Sequence, residues 1–235
     1  MGRIFEKRKH KMFARFDKMA KAFTRIGKDI AIAVKQAGPN PDNNPRLRMA
    51  IQNAKGVNMP KDRVEAAIKR ASSKDEKDFQ EVVYEGYAPH GVPVIVECAT
   101  DNPTRTVANI RLHFSKNGGN MGNSGSVMFL FERRGVFKFD PSKLNLDEVE
   151  LDLIDAGAED IQRDEDEIIL YTKFADFGQM QKFLESKGWE PKSSELQYIP
   201  TTTKELSDAE QDEVMECISA LEADDDVQNV YHNLA

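Results

Sequence analysis

No stretch of about 18 consecutive apolar residues occurs in the chain, so a membrane-spanning helix is not expected. The basic start MGRIFEKRKHK is not followed by an apolar segment, which argues against a signal peptide. Only two cysteines are present, Cys98 and Cys217, far apart and without a CxxC pair or a His–Cys cluster. Two lone cysteines fit reduced, packed thiols in a cytoplasmic protein rather than a disulfide framework or a zinc site. The four histidines, His10, His90, His113 and His232, are scattered. None forms a His-x-x-x-His pair or belongs to a Ser/His/Asp set, and no serine sits in a G-x-S-x-G elbow. EF-hand spacing is also missing, so the abundant carboxylates read as a solvated acidic face. No cofactor and no metal are expected, and no membrane partner. Nothing here argues for an enzyme.

What is present is charge, distributed unevenly. The 235 residues carry 33 Lys+Arg and 40 Asp+Glu, a net charge of −7. Residues 1–80 hold 20 basic and 9 acidic side chains, a net +11. Residues 81–135 are balanced at 5 and 5, and residues 136–235 hold 8 and 26, a net −18. A hydrophobic fraction of 40% is enough for a core, so global disorder is not expected.

The first segment reads as helices. Phe16, Met19, Phe23, Ile26, Ile30, Ala33 and Ala37 recur at spacings of three and four and mark one stripe on a long helix. Gly38-Pro39-Asn40-Pro41 stops it. A second helix starts at Asn44, a good N-cap, with Pro45 at its first position. Leu47, Ala50, Ile51 and Ala54 form its inner face. A third follows Pro60, with Val64, Ala67, Ile68 and Ala71 inward. The polar run Ser72 to Asp78 reads as a linker.

Beyond it the pattern changes to strands and helices. Strands are expected at Val82–Tyr87, Val92–Ala99 and Val127–Phe131, with a helix opened by Pro103 and capped by Gly118-Gly119. Residues 135–199 then read strand, helix, strand, strand, helix, strand, the split-βαβ order of ferredoxin-like domains. Ser207 caps a last helix, and Val227–Tyr231 makes a last strand. One helix and one strand cannot form a domain alone, so they are expected to return to the sheet of residues 80–132. The expected fold is α+β. An N-terminal three-helix bundle (1–78) precedes two α/β sandwich-like domains. The acidic ferredoxin-like one (134–202) is inserted in the other (79–133 and 203–235).

The strongest functional signal is the cationic bundle. Lys7, Arg8, Lys9, Lys11 and Arg15 precede and enter the long helix, and Lys18, Lys21 and Arg25 continue along it. Arg46 and Arg48 start the second helix; Lys61, Arg63, Lys69 and Arg70 line the third. Residues 1–70 carry 18 basic and 6 acidic groups, a net +12, the electrostatic footprint of a nucleic-acid binder. Aromatic side chains for base stacking are scarce there, since Phe16 and Phe23 belong to the core stripe. The acidic region should be repelled by phosphate and suits solvent or a basic protein partner. A rival reading uses the glycine loop Gly118–Gly125, with Arg105, Lys116 and Asp101 nearby, as a small-ligand or enzymatic site. That loop follows a helix and precedes a strand, the reverse of a dinucleotide-binding fingerprint.

Several segments resemble the YebC family. They are Asn44-Pro45-Arg46-Leu47-Arg48, Asn58-Met59-Pro60-Lys61-Asp62, Tyr84-Glu85-Gly86-Tyr87 and Glu97-Cys98-Ala99-Thr100-Asp101-Asn102. Arg105-Thr106-Val107, Phe114-Ser115-Lys116-Asn117-Gly118-Gly119, Gly125-Ser126-Val127 and the run Asp225 to Asn233 continue the match in order along nearly the whole chain. The start departs from the family's usual Gly-His-Ser-Lys-Trp, with Gly2-Arg3-Ile4-Phe5-Glu6 in its place. The resemblance implies a helical bundle plus two α/β domains, one inserted in the other, a cytoplasmic location and no catalytic activity. It implies one of two roles. One is regulation of transcription by binding promoter DNA. The other is assistance to translation through the ribosome and its RNA, easing stalls at proline runs.

Overall fold

A computed structural model describes residues 3–73 and 78–235, with side chains from residue 18 onward. The middle of the expected linker, 74–77, therefore lies outside the described residues. The chain divides into two compact units, Met1–Asp78 and Phe79–Ala235.

The first unit holds three helices: α1 (Arg3–Ala37), α2 (Pro45–Gly56) and α3 (Lys61–Ala71). Helix α1 ends where Gly38 takes a left-handed φ of 86°. Helix α2 begins as its sequence dictates. Asn44 Oδ1 accepts the Leu47 amide at 3.0 Å, and Pro45 occupies the first helical position. Asn44 is 1% exposed. Its Nδ2 donates to the carbonyls of Ala33 at 2.7 Å and Gly38 at 2.9 Å, tying the start of α2 to the end of α1. The core gathers Ile26, Ile30, Ala33, Leu47, Ala50, Ala54, Val64 and Ala71. The expected stripe on α1 is corrected at two places. Met19 and Ala37 are exposed, whereas Ala31, Ile32 and Val34, off the stripe, are buried. Helix α1 is thus buried nearly all round over residues 30–34, and both α2 and α3 pack on this helix.

The second unit contains two four-stranded sheets. Strands β1 (Gln80–Ala88), β2 (Val92–Thr100), β3 (Asn120–Met121) and β8 (Val227–His232) form one, ordered β3-β1-β2-β8 with every pairing antiparallel. Helices α4 (Pro103–Lys116) and α7 (Asp208–Glu222) cover one face. Val94, Val96, Cys98, Ile110, Phe114, Val214 and Cys217 form the core between them. Ser207 and Glu210 make the reciprocal capping box that starts α7. The other sheet is ordered β5-β6-β4-β7, again antiparallel. It is built from β4 (Phe131–Phe139), β5 (Ala158–Arg163), β6 (Ile168–Lys173) and β7 (Ser193–Pro200), with α5 (Leu146–Asp155) and α6 (Phe177–Lys187) between strands. Strand β2 sits inside its sheet and is buried almost throughout. Its Ile95 points away from α4 and α7 into a second cluster with Val127, Phe131 and Tyr198, where the two sheets meet. Tyr198 and Tyr231 pack edge to face there at 5.5 Å.

One expected strand does not form. Val127–Phe131 is a short helical turn, Met128–Leu130, and β4 begins only at Phe131. The amides of Val127 and Met128 are taken by the Glu85 carboxylate at 2.8 and 2.9 Å, so neither is available to a strand ladder.

Candidate nucleic-acid interface

The cations singled out in the bundle separate into three groups. The side chains of Lys7, Arg8, Lys9, Lys11 and Arg15 lie outside the described residues. Lys18, Lys21, Lys61, Arg63, Lys69 and Arg70 are exposed, and Arg25 is half-buried. Arg46 and Arg48 are engaged inside the unit. Arg46 Nη1 donates to Gln36 Oε1 at 3.1 Å. Arg48 Nη1 donates to the carbonyls of Pro41 at 2.9 Å and Asp42 at 3.1 Å, bracing the turn between α1 and α2.

Helix α3 presents four exposed cations, Lys61, Arg63, Lys69 and Arg70. Val64 and Ala71 are buried, so the helical period leaves Arg63 and Arg70 together on one flank. Lys69 points outward. Lys61 pairs with Glu65 at 3.6 Å, an exposed i,i+4 contact of small energetic weight. The Arg63 guanidinium lies 5.7 Å from the centre of the Phe23 ring, which fixes its position while leaving it accessible. Lys69 and Arg70 occupy the last turn of α3, where cations also complement the helix dipole. These positions follow from helical spacing and were legible in the sequence. The commitment of Arg46 and Arg48 was not, because their partners are mostly backbone carbonyls of a turn.

The glycine loop of the second unit has an internal occupant. Glu85, 3% exposed, accepts the Gly125 amide at 2.6 Å through one oxygen and the Val127 and Met128 amides through the other. Burial alone would raise this carboxyl, but the converging backbone donors outweigh it and hold the group below its ordinary range. The Gly119 amide goes to Phe114 and the Gly122 amide to the Glu85 carbonyl, both at 2.8 Å. A Cβ on Gly119 would come within 2.6 Å of the Tyr87 carbonyl oxygen, so close packing explains that glycine. Arg105 donates to Asp226 at 2.7 Å and to Asp101 at 3.0 Å. Asp226 also accepts the Thr106 hydroxyl at 2.8 Å and the Thr100 hydroxyl at 3.2 Å. Arg105 and Asp101 of the rival site therefore serve a network that joins α4 to the turn before β8, while Lys116 is exposed at the end of α4. Among the described residues no group of three or more His, Cys, Asp or Glu side chains could hold a metal ion. No helix among them is long and apolar enough to cross a membrane.

The Glu97 carboxylate is a site that motif reading did not single out for a role. It accepts Asn229 Nδ2 at 3.2 Å and the Tyr231 hydroxyl at 2.9 Å. Burial raises its pKa, opposed by those two hydrogen bonds and by Arg133. The available signal was a lone charge in the otherwise buried run Val92–Thr100.

These features define an α+β protein in which a helical bundle carries accessible cations and a two-sheet unit carries most of the carboxylates. Family comparison gives the same partition. The TACO1/YebC protein N-terminal domain matches residues 3–74, and the TACO1/YebC second and third domain matches residues 79–234. The chain belongs to the TACO1/YebC family. It is 58% identical to a protein of Anaeromyxobacter dehalogenans (strain 2CP-C) and 55% identical to one of Myxococcus xanthus (strain DK1622). Both are named "probable transcriptional regulatory protein", and each match covers 100% of both chains. A solved structure, that of a conserved hypothetical protein from Aquifex aeolicus, superimposes with a TM-score of 0.81 at 38% identity. It covers 92% of this chain and 90% of its own.

Proposed function

We propose that this protein is a non-enzymatic regulator of gene expression that binds nucleic acid through its basic helical bundle. The observation that carries this reading is the accessible cation set Lys18, Lys21, Lys61, Arg63, Lys69 and Arg70, within a segment of net charge +12 over residues 1–70. Each phosphate neutralised by such a side chain releases condensed counterions, which gives affinity without base reading. The names of the relatives favour promoter DNA as the target. Ribosomal RNA is the second reading, favoured by cations spread over α1 and α3, which suits backbone contact with a folded RNA.

The absence of catalysis in this proposal is supported by the internal use of the loop amides and of Arg105, Asp101 and Asp226. A cytoplasmic location is supported by two buried cysteines, neither of them in a disulfide. The burial of Cys217 pushes its thiol up to about 11, which makes it inert. We further propose that the two sheets belong to separate domains, the ferredoxin-like β4–β7 portion being inserted in the other. Crosslinking in cells followed by sequencing of the attached nucleic acid tests the function. Promoter fragments establish the transcriptional role, ribosomal RNA fragments the translational one, and recovery of neither refutes nucleic-acid binding.

A further inference from the structure

The outward face of helix α5 combines exposed aliphatic side chains with carboxylates. Leu146 and Leu153 are buried and fix which side faces the sheet. Leu151 lies at the centre of the opposite side and is 77% exposed, with Ile154 beside it at 50%. Leu151 is the most exposed large hydrophobic residue among those described. On a helix its neighbours are the residues three and four positions away. These are Asp147, Glu148, Ile154 and Asp155, all exposed. An aliphatic pair is thus set inside a ring of carboxylates.

The arrangement works against the helix that bears it. No basic residue occurs in the last turn of α5, while Asp152 and Asp155 stand there against the negative end of the dipole. Glu148 and Asp152 are like charges at i,i+4, a destabilising spacing. Lys187 relieves Asp152 at 3.0 Å and Arg163 relieves Asp147 at 3.1 Å. Among the described residues, Glu148, Glu150 and Asp155 have no ion-pair partner. Stability of this chain explains neither the exposed leucine nor Asp155 at the wrong helix end. A partner of opposite charge explains both.

We propose that the Leu151/Ile154 face of α5 is a docking surface for a basic amphipathic helix of another protein. The partner helix would lay aliphatic side chains on Leu151 and Ile154 and place lysines or arginines against Asp147, Glu148 and Asp155. The carboxylate ring excludes acidic partners and nucleic acid and speeds encounter with cationic ones. This surface is independent of the basic bundle and stands or falls separately from the nucleic-acid reading.

The test is fluorescence anisotropy of the whole protein with a labelled Leu/Lys peptide of about four helical turns, its leucines placed on one helical face. A peptide of the same composition in scrambled order serves as comparison. The helical peptide should bind at least about tenfold more tightly than the scrambled one. Leu151→Gln with Ile154→Gln should abolish that preference, and Asp147→Asn, Glu148→Gln and Asp155→Asn together should weaken both peptides. All these positions are exposed, so the variants should fold, and circular dichroism checks that they do. Met215→Gln, at another exposed apolar residue on the acidic helix α7, should change nothing. Equal binding of the two peptides, an undiminished preference in the glutamine variant, or no binding overturns the proposal. So does Leu151-dependent self-association in sedimentation, which would make a second copy the occupant.

Discussion

Glu85 and Glu97 lie on neighbouring strands, on the sheet face turned away from α4 and α7, and their environments act in opposite directions. Glu85 meets converging backbone amides that lower its pKa, despite a burial cost. Glu97 meets burial that two side-chain hydrogen bonds do not fully offset, and its pKa is raised. A lowered carboxyl contributes stability that is present above its unfolded-state pKa and lost as pH falls through the folded value. A raised carboxyl contributes stability that is present below its unfolded-state pKa and lost as pH rises through the folded value. Glu85→Gln keeps one oxygen but sets an NH2 donor against at least one of the backbone amides, and should cost about 3 kcal/mol in urea denaturation at neutral pH. It should also flatten the acid limb of the stability curve. Glu97→Gln retains an oxygen for Asn229 and Tyr231 and removes a poorly solvated charge. Its stability at neutral pH should equal or exceed that of the parent, and a loss as large as that of Glu85→Gln would refute this assignment. Neither behaviour is written in the residue's neighbours along the chain. The partners of Glu85 are 40 to 43 positions away and the side-chain partners of Glu97 are 132 and 134 away.

Elements were legible where the information is local. Asn44-Pro45 starts α2, Ser207 with Glu210 starts α7, and Gly38 ends α1, because capping and left-handed turns depend on adjacent residues. The Val127–Phe131 segment misled for the complementary reason. Its composition suits a strand, but its amides are claimed by a carboxylate 42 positions earlier, and pattern reading cannot see that competitor. The stripe on α1 was read too narrowly because one helix face predicts one neighbour, and α1 has two. Asn44 joins the local and the distant, capping one helix while its amide nitrogen holds another. Asn44→Ala should therefore cost more than an ordinary cap, about 2 kcal/mol, seen as an earlier loss of helical circular dichroism on heating. An unchanged melting curve would show that the two carbonyl contacts carry no stability.

At the scale of the molecule, a net charge of −7 conceals a cationic bundle and an anionic remainder. The gradient was legible by counting. Which cations are free to meet phosphate was not, and the structure divides them. Arg48 braces a turn, so Arg48→Ala should lower the stability of the bundle and leave the salt dependence of binding nearly unchanged. Lys61 and Lys69 are exposed and project from α3, so their reversal to glutamate should cost no more than about 1 kcal/mol of stability. It should nevertheless weaken nucleic-acid binding.

The most direct test of the bundle as the nucleic-acid interface is the affinity of the whole protein for duplex DNA and for a folded RNA across a salt series. Binding to its physiological class should weaken steeply and linearly as log K against log salt concentration. In Lys61→Glu with Lys69→Glu, affinity should be lower and the slope shallower by about two counterions. An affinity indifferent to salt, or the same slope in the doubly reversed protein, would contradict the account.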